Sequence, residues 1–314
     1  MSLTSILNYN NKAFKDFRDL LSDLFPKPRF QSRNQIKAEP NTTNYPLIGK
    51  AFDYLLRFNL ERKYKGKVFS SQWVAESALS RFDDKFSGVI KSSEDIFECL
   101  DGDEVIRFFE EKRKSDKLFN QQVNDKFKKC KNSYTLFINF ELENHVELIE
   151  STLFLGRLDD VIRIGSRAKE YIDFEPEDKL DIEDLMQLES VCDFNLFEPL
   201  NKIVLNPTFG EGSKLVGGAD ADIIVDDTLI DIKVTKELKL TRPYFNQLLG
   251  YYLLYLIGGI DGHKHIEIRN LGIYFARYNV LWTTKVEDIG EMEVFEKVTE
   301  FLRMQFKKTT TNKR

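Results

Sequence analysis

The stretch VGGADADIIVDDTLIDIKVT, Val216 to Thr235, decides how the rest of the chain is read. Two apolar, largely β-branched runs, Ile223-Ile224-Val225 and Leu229-Ile230, flank Asp226-Asp227, which is the pattern of a tight β-hairpin. If Val225 and Thr228 flank a two-residue turn, paired positions sum to a constant. Asp222 then lies opposite Asp231, and Asp220 opposite Lys233. Side chains alternate along a strand, so all four project from one face. Directly opposed residues have Cβ atoms roughly 5 Å apart, and like charges placed there repel. Three carboxylates beside one ammonium are better accounted for by a divalent cation than by a solvated polar face, which does not need its acids in register.

Mg²⁺ takes oxygen ligands in a near-octahedral shell, usually from one or two carboxylates completed by waters and phosphate oxygens. Asp222 and Asp231 are of the right kind, and Lys233, two residues beyond the second acid, stays on the same face. An Asp on one strand followed by Asp231-Ile232-Lys233 on the next resembles the PD-(D/E)XK nuclease superfamily. Gln247-Leu-Leu-Gly-Tyr251 matches the QxxxY motif of its RecB-like exonuclease branch, and residues four apart share one helical face.

The resemblance implies several roles. The Asp222 and Asp231 carboxylates and the Ile232 carbonyl bind Mg²⁺ or Mn²⁺, Lys233 acts on the nucleophile or the transition state, and Gln247 and Tyr251 support the site. It also implies cleavage to a 5′-phosphate and a 3′-hydroxyl. Asp220 and Asp222 share the expected face, so the identity of the first acid stays open. RecB-like nucleases often carry an early G-x-x-x-H helix whose His adds a metal ligand. Gly49 to Asp53 keeps that spacing with Asp in place of His, a ligand that suits hard cations.

The composition bounds what the chain does. It has 314 residues, 42% of them apolar, with 26 Phe, enough for a sizeable core in one or two domains. The net charge of -5 excludes a global basic footprint for nucleic acid, so any contact with DNA, or RNA, rests on local patches and bound metal. Cys99, Cys130 and Cys192 match neither a disulfide framework nor CxxC spacing. They point to a reducing, cytoplasmic setting and exclude the four-cysteine iron-sulfur cluster of some RecB-like nucleases. Of the three histidines, His263 and His265 flank a Lys in a Gly-rich loop, read as an exposed turn, with a metal-binding pair as the alternative. The N-terminus is polar within its first dozen residues, unlike a signal peptide. The longest apolar run, Tyr251 to Ile257, is too short to cross a bilayer.

Along the chain, residues 1–45 read as an amphipathic helical arm and a polar linker. The linker's Lys27, Arg29, Arg33 and Lys37 are read as solvated loop, with contact to a phosphate backbone as the alternative. Residues 46–200 read as mainly helical, apart from a strand at Tyr134 to Phe140. That region includes the basic cluster Lys126 to Lys131, and Glu183 or Glu189 as a further core acid. Residues 201–314 read as the nuclease core, with strands near Ile203, Leu271 and Val280 and a last helix from Ile289 to Phe306. The expected class is α/β: a restriction-endonuclease-like mixed sheet flanked by helices, with a largely helical N-terminal half. The expected function is a metal-dependent deoxyribonuclease in prokaryotic or phage DNA processing or defence. The alternative is a non-cleaving nucleic-acid-binding or assembly subunit, with a protein partner on the helical N-terminal half.

Overall fold

The computed structural model of the chain describes residues 3–8, 12–70, 73–76, 102–164, 172 and 174–311. Residues 77–101 with Cys99, part of the region read as mainly helical, and the last three residues lie outside them. The chain divides into two compact units, residues 1–39, 63–71 and 191–314 in the first and residues 40–62 and 72–190 in the second. The structure is α/β and mostly helical.

The first unit holds a six-stranded mixed sheet in the order β1-β2-β3-β4-β5-β6. The strands are Val68–Ser70, Ile203–Leu205, Ile223–Val225, Thr228–Lys233, Asn270–Phe275 and Val280–Lys285. β1 runs parallel to β2 and β4 parallel to β5, and the other neighbours are antiparallel. The β3-β4 hairpin has the expected register, Val225 facing Thr228 and Ile223 facing Ile230. Asp226 adopts φ 53°, the positive φ that two-residue hairpin turns demand and that Asp tolerates. Its carboxylate accepts from the backbone N–H groups of Leu200 (2.7 Å), Asn201 (2.7 Å) and Lys202 (3.0 Å). Burial opposes that charge, but the three donors hold Asp226 below the usual carboxylate range.

Counted in chain order, the helices of this unit begin with α1 (Leu3–Leu7) and α2 (Lys15–Leu24). The second unit contributes α3 (Tyr45–Lys63, whose last residue belongs to the first unit), α4 (Gly102–Ile138), α5 (His145–Ile164) and α6 (Lys179–Val191, whose last residue likewise belongs to the first unit). The first unit then resumes with α7 (Gly210–Leu215), α8 (Arg242–Gly258), α9 (Val286–Ile289) and α10 (Met292–Thr311). The crossover from β4 to β5 is made by α8. Thr241 caps it by accepting from the Tyr244 N–H, Pro243 stands in its first turn where a missing N–H costs little, and Gly259 at φ 69° ends it. The helix is apolar on nearly every side, which requires cover all round. The sheet supplies one side, and α1, α2, α7 and α10 pack on the others.

The N-terminal arm is therefore part of the core, not a detached element. Leu3, Ile6, Leu7, Phe14, Phe17, Leu21 and Phe25 join the hydrophobic cluster of α8 and the sheet. Arg242 fastens the end of α2 by donating to the carbonyls of Phe25 (2.7 Å) and Leu21 (2.5 Å). The first part of the expected linker is also seated, since Phe30 stacks on Phe275 with 5.4 Å between centroids and a 2° interplanar angle. The boundary expected near residue 45 falls at 39, and residues 63–71 join the sheet unit through β1.

The second unit, taken by itself, is helical among its described residues. The strand expected at Tyr134 to Phe140 is instead the end of α4. Val123, Phe127, Cys130 and Phe137 are buried at spacings of four, three and seven, a helical seam that outweighs the short alternation. Among the described residues, no helix is long and apolar enough to cross a membrane.

Candidate active site

Where β3 leaves β4, the sheet opens. Pairing of β3 with β4 stops at Ile223 and Ile230, while the Asp222 carbonyl accepts from Asn206 N–H (3.0 Å) and Ala221 N–H donates to Pro207 (3.1 Å), both on the β2 side. The next ladder bond is replaced by a side chain, since the Asp222 carboxylate accepts from Ile232 N–H at 2.6 Å. In an antiparallel pair the N–H and C=O of one residue point to the same edge. The Ile232 carbonyl therefore faces the gap that Asp222 enters.

Asp231 and Lys233 share one face of β4, and their side chains form an ion pair, Nζ to Oδ2 2.6 Å. α8 crosses that face and brings Gln247 to the lysine and, through Gln247, Tyr251. Gln247 Oε1 accepts from Lys233 Nζ at 3.0 Å, and Gln247 Nε2 donates to the Tyr251 hydroxyl at 2.9 Å. One amide with an acceptor end and a donor end thus links the lysine on the sheet to the tyrosine one turn along the helix. Spacing in sequence put Gln247 and Tyr251 on one helical face but did not give the bond from Lys233 to Gln247. It did not single out Tyr244, whose ring lies 5.0 Å from Lys233 Nζ; its place one turn before Gln247 was the available signal.

The electrostatics follow from burial. Asp231 is 1% exposed, and burial pushes its carboxyl up to about 6, with Lys233 pulling it down and Asp222 pushing it further up. Burial works against the charge on Lys233 too, but Asp231 and then Asp222 outweigh it and hold the ammonium above its usual range. Burial first, and then Asp222 and Asp231, keep the Tyr251 phenol neutral. Two carboxylates, Asp231 buried and Asp222 half-buried, against one half-buried ammonium leave an excess of negative charge, which is costly unless a cation or a proton offsets it.

Among the described residues, no group of three or more His, Cys, Asp or Glu side chains surrounds a metal position. The donor set is two carboxylates and a carbonyl bordering the gap. Too poor in N and S donors for a closed zinc site, it fits Mg²⁺ or Mn²⁺, which keep several waters. Asp220 departs from the expected register: it is exposed and pairs with Thr208 on the β2 side, not with Lys233. Asp222 is accordingly the acid that the fold brings to Asp231. Asp53 belongs to the second unit, where its carboxylate pairs with Arg57 one turn on.

Several of the other nominated groups have structural partners. In the basic cluster, Lys126 bonds Glu177 at 3.2 Å, Lys128 lies 3.6 Å from Asp125, and Lys131 pairs with Glu76 and sits 3.5 Å from the centre of the Trp73 ring. Much of that charge is spent within the unit. Glu189 binds Asn59 (2.7 Å) and His145 (2.6 Å), and Glu183 lies 3.5 Å from Lys179. His265 is exposed, and His263 rests on Phe69 with ring centroids 5.2 Å apart. Cys130 and Cys192 are buried and form no disulfide, and Cys192 Sγ accepts from the Tyr274 hydroxyl at 3.2 Å. No family model, no curated protein and no solved structure gives a significant match to the chain.

Proposed function

We propose that the first unit is the core of a Mg²⁺- or Mn²⁺-dependent nuclease that hydrolyses DNA phosphodiester bonds, built as a restriction-endonuclease-like sheet of the PD-(D/E)XK superfamily and its RecB-like branch. The observation that carries this reading is the convergence on Lys233. Two motifs from different elements, Asp231-Ile232-Lys233 on β4 and Gln247 with Tyr251 on α8, meet around one ammonium, beside an Asp222 that has displaced the β3 backbone.

A divalent cation held by Asp222, Asp231 and the Ile232 carbonyl would lower the pKa of water and neutralise phosphate charge. Lys233 offers a fixed positive charge to the oxygens of the scissile phosphate as negative charge builds on them, where a preorganised donor is worth most. Gln247 fixes the position of that ammonium. Asp231 draws it toward the acids, so it does not extend into solvent. Tyr251, buried and un-ionised, holds the Gln247 amide in the orientation that turns its oxygen to the lysine.

The test is cleavage of labelled duplex DNA by purified protein in Mn²⁺, with EDTA and Lys233→Ala as controls. Loss of one such donor lowers kcat by about 10²–10³, so Lys233→Ala should leave little activity and an intact far-UV circular dichroism spectrum. Equal cleavage by parent and variant would refute the mechanism. DNA binding without any metal-dependent cleavage by the parent would favour the assembly-subunit alternative.

A further inference from the structure

Between Phe25 and Ala38 the chain reads PKPRFQSRNQIK. It contains four basic residues, Lys27, Arg29, Arg33 and Lys37, and no acid, in a protein whose net charge is -5. The segment forms no helix or strand, yet it is seated along its length. Phe30 stacks on Phe275 and meets Trp282 edge-on with centroids 6.3 Å apart, Ile36 packs on the core, and the N–H groups of Lys37 and Ala38 donate to the Arg277 carbonyl at 2.8 and 3.1 Å. The apolar residues are turned in and the four cations out. All four are exposed, and none makes an ion pair or side-chain hydrogen bond among the described residues.

Its position relative to Lys233 gives this strap a use. Phe275 is the in-register partner of Lys233 across β4 and β5, so the two side chains share a face on strands about 4.8 Å apart. Phe30 therefore anchors the strap one strand away from the lysine, on the face that carries the site. The far end of the strap joins the β5-β6 turn at Arg277. From that turn the Tyr278 hydroxyl donates to the carbonyl of Lys236, three residues beyond Lys233 in the loop leaving β4. Unpaired cations repel one another and favour a polyanion.

We propose that residues 26–37 form the track along which the phosphate backbone of nucleic acid approaches Lys233, with Lys27, Arg29, Arg33 and Lys37 as the contacting groups. The proposal rests on the nuclease reading for the identity of the polyanion. It goes beyond that reading by assigning the binding surface to a segment that carries no catalytic residue.

The experiment is fluorescence anisotropy of a labelled duplex with the full chain in EDTA, across a salt series, so that binding is read without cleavage. The variants are Lys27→Ala/Arg29→Ala/Arg33→Ala/Lys37→Ala and a charge-matched control, Lys214→Ala/Arg269→Ala/Lys285→Ala/Lys297→Ala, whose cations are exposed and already paired on the surface. Each phosphate that the protein ceases to neutralise lowers the slope of log K against log salt by about 0.9. The strap variant should lose about 3 to 4 in slope and at least tenfold in affinity near 0.1 M salt, and the control should lose little. Equal losses in the two variants, or an unchanged slope in the strap variant, overturn the proposal. Metal-dependent cleavage by the parent together with either result would sink the strap and spare the nuclease. A slope loss confined to the strap variant, with no cleavage by the parent, would spare the strap and sink the nuclease.

Discussion

Replacing Gln247 by Leu tests the linkage between sheet and helix directly. The substitution keeps the side chain's bulk and removes both of its hydrogen bonds, one from the Lys233 ammonium (3.0 Å) and one to the Tyr251 hydroxyl (2.9 Å). A bond to a charged group contributes about 1.5–3 kcal/mol and a neutral one about 0.5–1.5. The gross loss is then about 2–4.5 kcal/mol, offset in part by the apolar surface that Leu buries. The expected stability change is about 1–3 kcal/mol, read from urea midpoints. Lys233 keeps its charge and Asp231 but loses the partner that fixes its position, and the loss of such a supporting group typically costs 10–100-fold. In initial-rate assays on duplex DNA with Mn²⁺, the loss should fall on kcat. Tyr251→Phe removes the hydroxyl and leaves the Gln247–Lys233 bond, so it should cost less than tenfold. The double variant should be no slower than Gln247→Leu alone, because the tyrosine acts through the amide and such effects do not add. Parental rates in Gln247→Leu, or strictly additive losses in the double variant, would refute the reasoning.

Three further outcomes are expected. Saturating Mn²⁺ at about a hundred times its Kd should stabilise the parent by about 2.7 kcal/mol, roughly 5–10 °C in Tm, and Asp231→Asn should abolish that shift in a thermal melt. Asp226→Asn should cost about 1–2 kcal/mol at pH 7, because an amide N–H₂ then faces the donor that one carboxylate oxygen satisfied. The folded-state pKa of Asp226 is depressed by its backbone donors despite burial. The stabilisation is therefore full above the unfolded value near 3.9 and is lost as pH falls through the folded one, so the gap between parent and variant melts should narrow below about pH 4. Gly212→Ala would drive a methyl group into the backbone carbonyl of Leu254 where α7 meets α8. A loss of about 1–3 kcal/mol in urea stability, or more, is the expected reading.

The hairpin and the motif helix were legible because their signals are local. Turn chemistry at Asp226-Asp227, apolar runs on either side, and the four-residue spacing of Gln247 and Tyr251 need no knowledge of distant chain. Asp220 was misplaced because ideal pairing was extended past Ile223. The structure ends it there, where Asn206 at φ 49° and the β2 edge take the β3 backbone instead. The strand expected at Tyr134 to Phe140 came from counting alternation over seven residues, when the deciding seam reaches back to Val123. Residues 2–24 declared an amphipathic helical arm in need of a partner, but amphipathicity names no partner. Only the fold shows that α8, more than two hundred residues later, is the surface it covers.

That distance bears on how the protein is made. Because the sheet unit is assembled from three separated pieces of chain, α1 and α2 emerge from the ribosome long before the helix they enclose. At about 5–20 residues per second the wait is roughly 10–45 s, during which their apolar faces have no native cover. The intervening helical unit is encoded within that interval, so the order of synthesis puts it first. Lys233, Gln247 and Tyr251 come together only after α8 has been made, so no nascent chain stalled before that helix holds the Lys233–Gln247–Tyr251 linkage in place.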